Sequence, residues 1–266
     1  MINFNTSSDN SSVLAQLQEK QKTLFERLAS GKRVNSAADD AAGLQIIDKL
    51  TSEVSGFRQS VTNAYDGISL SQVAEGGLSG ISNDVNRIRE LTVQAGNGIL
   101  SAADKKAIQG EISALQSNIN QTIEQTSFNG KQLLSGDGSL DFQVGSAAGQ
   151  KISVGTQDVA SGLTDVLNID VTTGSVDDAL KAADAAVDYV GSARADLGAT
   201  QNQFESAARN LGNQEVNVAA ARSRLQDTDY AQATADQAAN NILSQASLSV
   251  QAQANQQRGQ VLALLG

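Results

Sequence analysis

The first apolar rhythm of the chain begins at Leu14 and runs through Leu17, Leu24 and Leu28, three or four residues apart or a full heptad, with only Gln21 breaking the stripe. That is the spacing of a short heptad seam on one face of a helix. Val54, Phe57, Val61, Tyr65 and Ile68 keep the same period, and Leu78, Ile81, Val85, Ile88 and Ala95 resume it beyond Gly76-Gly77. The pattern predicts one long amphipathic helix, bent at the two glycines. Ser101 and Asp104 form a capping-box pattern ahead of Ile108, Ile112, Leu115 and Ile119, so a further helix starts there and ends before the Asn129-Gly130 turn signal.

Between about Phe128 and Thr173 the period falls to two. Leu140, Phe142 and Val144, then Ile152 and Val154, then Leu167, Ile169 and Val171 read as short strands, paired as hairpins. Ser175 and Asp178 offer a second capping box. After it Val190, Leu197, Phe204, Leu211, Val218 and Leu225 recur at intervals of seven. A helix from Val176 to Leu225 would be about 75 Å long at ~1.5 Å per residue, which implies a rod. From Ala231 to Gly266 the only charged residues are Asp236 and Arg258, and Ala239, Leu243, Ala246, Val250, Ala254, Val261 and Leu265 share one helical face. A polar low-complexity tail is the competing reading; the regular apolar period favours a helix buried in an assembly. The fold class expected is mainly α: a long antiparallel coiled-coil or bundle rod with a small β-hairpin region in mid-chain.

Composition sharpens this. Aromatic residues make up 3% of the 266, with no Trp, against 40% apolar residues in all, so the interior is Ala, Leu, Val and Ile, suited to closely packed helices. There is no Pro to break long helices. A net charge of -10 repels phosphate backbones and anionic lipid, which argues against nucleic acid or membrane as partner. No apolar run is long enough for a bilayer span, and Met1 to Ser12 has neither the basic nor the apolar region of a secretory leader.

Without His or Cys a Ser-His-Asp triad, a Cys nucleophile and an imidazole or thiolate zinc site are all out of reach. No catalytic, cofactor or metal residue is assigned. Asp39-Asp40 and Asp177-Asp178 read as helix-start residues. Ser30-Gly31-Lys32 and Gly149-Gln150-Lys151 lack the rest of a phosphate loop. Asp137, Ser139 and Asp141 alternate like the start of a calcium loop, but the Gly and terminal Glu it needs are missing.

Several long strings carry a resemblance. ERLASGKRVNSAADDAAGLQII (26–47), NAYDGIS (63–69), VNRIRELTVQ (85–94) and TSFNGKQLL (126–134) closely resemble the amino-terminal half of bacterial flagellins, in that family's order. RADLGATQNQF (194–204), ARSRLQDTDYA (221–231) and QAQANQQRGQVLALLG (251–266) resemble the carboxy-terminal half. The resemblance implies a non-enzymatic filament subunit of the extracellular flagellum, exported unfolded by the flagellar type III apparatus. It implies an inner terminal helical domain from residues 1–42 plus 226–266 and a helical rod domain from 43–225, with hairpins at about 128–173. The few residues between Val171 and Ser175 leave no room for the large outer domains common in the family. Implied partners are copies of the chain itself, an export chaperone, and cap and junction proteins.

By the same resemblance Arg87, Glu90, Leu91 and Gln94, with Glu111 on the next helix, match the surface bound by a Toll-like receptor of animals, and residues 26–47 match an epitope sensed by a plant receptor kinase. Subunit contact is the primary role expected for these residues. A hook-filament junction protein and a secreted coiled-coil interaction protein remain the alternatives, and of these the coiled-coil protein does not account for the matching strings at both ends.

Leu14, Leu17, Leu24 and Leu28 with Leu243, Val250, Val261 and Leu265 are the expected subunit-assembly seam. Ordering Ser11 to Ala29 costs more backbone entropy than burial of its six apolar side chains returns, and helix hydrogen bonds bring the isolated segment only to near balance. Both ends are therefore expected to be largely disordered in the free subunit and to order on assembly.

Overall fold

The computed structural model describes residues 6–265, with side chains described at 12–257 and at 260. Among the described residues seven helices and four strands follow in the order α1 (Thr6–Ser30), α2 (Ala41–Ala95), α3 (Ala102–Gln125), β1 (Ser127–Phe128), β2 (Lys131–Gln132), β3 (Ser135–Gln143), β4 (Lys151–Asp158), α4 (Val159–Gly162), α5 (Thr164–Leu167), α6 (Val176–Gln226) and α7 (Tyr230–Leu265). The protein is mainly helical, with two small antiparallel sheets. The chain divides into two compact units, one made of residues 1–54 with 216–266 and the other of 55–215.

In the unit of residues 55–215, α2 and α6 run antiparallel, as the order of their cross-links requires. Arg58 pairs with Glu215 at 2.6 Å, Arg194 reaches Glu75 through two nitrogens at 3.0 and 2.9 Å, and Arg89 pairs with Asp184. These pairs are solvent-exposed to varying degrees and each is worth only ~0–1 kcal/mol. Cohesion comes from beneath them. Ile81, Val85 and Ile88 of α2, Ile112 and Ile119 of α3, Val154 of β4, and Val190 and Phe204 of α6 join one buried cluster. Ala183, Ala186 and Ala193 in the α6 stripe let the helix axes approach.

Two glycines in α2 serve the same end. A Cβ at Gly67 would fall 2.4 Å from the Phe204 ring, and one at Gly77 would lie 2.6 Å from Thr126 Oγ1. The Gly76-Gly77 pair thus sits within continuous helix, with Gly77 allowing a close approach.

Ser101 caps α3 as its spacing predicts: its hydroxyl accepts from Asp104 N, and the Asp104 carboxylate accepts from Ser101 N at 2.9 Å. Ser175 supplies the first half of the same motif to α6, its Oγ accepting from Asp178 N at 3.4 Å. Asn129 (φ 48°) and Gly130 (φ 77°) make a two-residue left-handed turn that joins β1 to β2. In the larger hairpin Leu140 pairs with Val154 and Phe142 with Ile152. Phe142 meets Phe204 edge to face, centroids 5.4 Å apart.

The third expected strand does not form. Leu167 closes the short helix α5, Ile169 lies in irregular chain after it and Val171 in a turn, both buried. Two side chains of α3 take the place of a partner strand. Gln116 donates to the carbonyls of Val166 and Ile169 at 3.0 and 3.2 Å; Gln109 donates to Ile169 O and accepts from Val171 N at 2.8 Å. With its backbone groups satisfied in this way, the segment buries Val159, Leu163, Val166 and Ile169 at helical spacing.

Candidate functional site

The unit of residues 1–54 and 216–266 is organised around the antiparallel pair of α1 and α7. On α1 the stripe Leu14, Leu17, Gln21, Leu24 and Leu28 is half-buried throughout. It faces α7 chiefly across that helix's small and polar positions, although Ala239 and Leu243 of the apolar face line the same groove as Leu24. The α7 positions shielded from solvent are Ala233, Gln237, Asn240, Ser244, Ser247, Gln251 and Ala254, alternating four and three residues apart, together with Asn241. Asn240 is 6% exposed and donates from Nδ2 to the Leu17 carbonyl at 3.0 Å, while Gln21 Nε2 donates to Asn241 Oδ1 at 2.8 Å.

The apolar residues of α7 look outward. Ile242 is 67% exposed, Leu243 55%, Leu248 51% and Val250 56%; on α1, Val13 and Phe25 are 45% and 53% exposed. The expected seam thus divides in two. Its four leucines on α1 form a contact within the subunit, and Leu243 and Val250 form an uncovered face. Val261 and Leu265 lie outside the described side chains. Sequence reasoning followed the apolar period of α7 and missed the small-polar stripe beside it, although its alternating spacing was there to be read.

At the end of α1, Gly31 adopts φ +70°, and a Cβ there would stand 3.3 Å from the Tyr230 hydroxyl, which itself donates to Leu28 O at 2.9 Å. The turn is tied to the end of α6: Arg33 N donates to Gln226 O at 2.6 Å, Arg33 Nη2 to Leu225 O at 2.7 Å, and Thr228 N to Gly31 O at 3.0 Å. Asp39 accepts from the backbone N–H groups of Ser36 and Asn35 and from the Ser36 hydroxyl, which holds its carboxyl below the usual range; Arg27 lies 3.9 Å away. Asp40 starts α2, its Oδ1 accepting from Gly43 N at 2.8 Å.

The residues of the receptor-like surface are only partly together. Arg87 donates through Nε and Nη2 to Glu111 Oε1 at 3.0 and 2.8 Å and through Nη1 to Glu90 Oε2 at 3.0 Å; these two carboxylates raise its affinity for its proton. Gln94 is exposed about two turns further along α2. Leu91 is not on this surface: it is 2% exposed and belongs to the core cluster, because it continues the inward stripe of Ile81, Val85 and Ile88.

The acidic pairs singled out in the sequence have structural uses. Asp137 accepts from Asp158 N, and Asp141 binds Ser153 and Lys151 across the hairpin. Asp177 and Asp178 stand in the first turn of α6. Among the described residues no group of three or more Asp or Glu is arranged to hold a metal ion, and no helix is long and apolar enough to cross a membrane.

A terminal helix pair that leaves Ile242, Leu243, Leu248 and Val250 exposed invites comparison with proteins of known role. Residues 2–139 match the bacterial flagellin N-terminal helical region, and residues 180–265 match the bacterial flagellin C-terminal helical region. The chain belongs to the bacterial flagellin family. It is 41% identical to the flagellin of Bacillus subtilis over 277 aligned positions, covering 91% of each chain, and 37% identical to flagellin FlaB2 of Treponema pallidum, again covering 91% of each. Its alignment to polar flagellin F of Vibrio parahaemolyticus spans 349 positions at 32% identity, more than the 266 residues present here, so that flagellin carries insertions this chain lacks.

Among solved structures, the crystal structure of Bacillus cereus flagellin superposes with a TM-score of 0.51 at 27% identity, covering 60% of this chain and 94% of that one. A flagellar hook-associated protein from Vibrio parahaemolyticus shares the fold, with a TM-score of 0.62 at 16% identity. Flagellins are structural proteins that build the extracellular flagellar filament, and this chain is a filament subunit of that family.

Proposed function

We infer that this short flagellin polymerises through the outward faces of its terminal helices, with Leu243 and Val250 on α7 meeting neighbouring copies. The observation that carries the reading is the exposure of Ile242, Leu243, Leu248 and Val250, all more than half open to solvent on a helix whose opposite stripe is already packed. Large apolar side chains left this open to water on the α1–α7 pair are unfavourable in the free subunit and favour association. The α1 leucines contribute indirectly, by holding α1 and α7 together so that both outward faces are presented.

In this reading the free subunit keeps its terminal helices loosely ordered and completes them on assembly. It leaves the cell unfolded through the flagellar export apparatus, with a chaperone covering apolar terminal surface beforehand, and meets cap and junction proteins at the filament ends. Recognition by host innate receptors is secondary and rests on resemblance; it would use Arg87, Glu90, Gln94 and Glu111.

Leu243→Asp and Leu24→Asp test the reading, the first in the outward face and the second in the α1 seam. Electron microscopy of seeded, purified protein should show long uniform tubes for the parent and none for either variant, while circular dichroism retains the thermal transition of residues 55–215. Tubes of parental length from Leu243→Asp would remove the outward face as an assembly surface.

A further inference from the structure

Asn-Gly occurs twice in the chain, at Asn97-Gly98 and Asn129-Gly130. An asparagine followed by glycine can react with its own backbone: the next nitrogen attacks the side-chain carboxamide carbon, and glycine, lacking a Cβ, leaves that nitrogen unshielded. The attack needs the Asn ψ turned until Cβ and the following nitrogen lie on the same side of the Cα–C bond. The two sites meet this demand differently.

Asn129 has φ 48° and Gly130 φ 77°, and pairing of Phe128 with Lys131 closes their turn. In the left-handed conformation the following nitrogen lies nearly opposite Cβ. Turning ψ to the reactive value at positive φ enters a region that only glycine occupies readily. Asn97 has an ordinary negative φ and lies in the turn between α2 and α3, where residues 96–99 are all exposed and Ile99 is 87% open to solvent. Gly98 N donates to nothing among the described residues, and nothing stands within 4 Å of the place a Gly98 Cβ would take. Ile99 N donates to Asn97 Oδ1 at 3.3 Å. Negative charge builds on that oxygen as the carboxamide carbon is attacked, so a donor already faces the developing charge.

We propose that Asn97-Gly98 is a self-modification site: it deamidates through a succinimide in the folded protein, whereas Asn129-Gly130 is held unreactive by its turn. Gly98 N gives its proton to solvent base and bonds to Asn97 Cγ; the Cγ–Nδ2 bond breaks and the amide nitrogen leaves as ammonia. Water then opens the ring, giving aspartate when the new Cγ–N bond is cut and isoaspartate when the original peptide bond is cut. One water enters and one ammonia leaves, with no change of oxidation state. Both products place a carboxylate on the turn. In isoaspartate the Asn97 carbonyl that accepts from Leu100 N at 3.1 Å no longer belongs to the main chain, which alters the turn that seats half-buried Leu100 against the core cluster. Subunits of an extracellular filament accumulate this change with age.

For the test, purified full-length chain is held folded in mildly alkaline buffer made with heavy-oxygen water, and in the same buffer with urea. Peptides are followed by mass spectrometry with fragmentation that separates isoaspartate from aspartate. In the folded chain Asn97 should convert at least about tenfold faster than Asn129, its products carrying one solvent oxygen, and in urea the two rates should converge. Gly98→Ala should slow Asn97 by about tenfold without lowering the melting temperature, since its methyl enters open space and Gly98 does not need a positive φ. Equal rates at the two sites in the folded chain, a faster Asn129, or a gap that persists in urea would overturn the proposal, and so would an unchanged rate in Gly98→Ala. Should Gly98→Ala fold poorly, the rates of the parent chain with and without urea decide by themselves.

Discussion

The two units differ in how they use the apolar faces of their long helices: both bury apolar residues, the terminal unit at Val34, Ile47 and Val54, but only the middle unit does so along the whole length of its helices. In residues 55–215 the apolar period of each helix faces inward, and Ile81, Val85, Ile88, Ile112, Ile119 and Phe204 are sealed from solvent. In the terminal unit α7 turns small and polar side chains toward α1 and leaves its larger apolar residues outside. Since apolar burial is the dominant favourable contribution in folding and association, the first unit has what it needs within one chain. In the α1–α7 pair of the second that burial is incomplete, and on the assembly reading proposed above the remainder comes from other copies. On that reading residues 55–215 fold within one chain, while the stability of the α1–α7 pair is completed in the polymer.

The sharpest way to break this contrast is to damage the self-sufficient unit. Phe204→Ala removes a fully buried ring that meets Phe142 and Gly67, and should lower the stability of residues 55–215 by about 3–5 kcal/mol in urea unfolding. Gly67→Ala attacks the same contact from the other side: its Cβ would stand 2.4 Å from the Phe204 ring, and the overpacking should cost about 1–3 kcal/mol. Ser101→Ala removes the α3 cap and should cost ~0.5–2 kcal/mol, read as a lower melting temperature.

The smallest effect is one of pH. The Asp170 carboxylate accepts from the Thr172 and Thr173 hydroxyls and from Thr172 N, which brings its pKa down to about 2 from the model-peptide value of 3.8. The folded state therefore binds fewer protons than the unfolded chain between those values, so the stabilisation is present above pH 4 and is lost as pH falls toward 2. Asp170→Asn should flatten the part of the acid melting profile between pH 4 and 2 that this group causes.

How much of this was legible beforehand follows from what each region depends on. The Ser101–Asp104 cap, the Asn129-Gly130 turn and the heptads from Val190 to Leu211 are local signals answered by local structure. The strand expected at Leu167, Ile169 and Val171 failed because its backbone partners are Gln109 and Gln116, some fifty to sixty residues earlier in the chain. Period-two spacing cannot reveal a side chain standing in for a strand. On α7 the expected apolar face splits, Leu243 and Val250 staying exposed while Ala254 joins the shielded stripe, because which face meets α1 depends on the partner and periodicity ranks faces without naming their partners. Leu91 shows the converse: placed on a surface by resemblance, it follows its own stripe into the core.

The contrast between the units is tested most directly by amide hydrogen exchange on verified monomer and on filament. The account predicts that α2, α3 and α6 within residues 55–215 are protected in both states, and that α1 and α7 exchange rapidly in the monomer and become strongly protected in the filament. Protection of α1 and α7 in the monomer equal to that of the middle helices would contradict it.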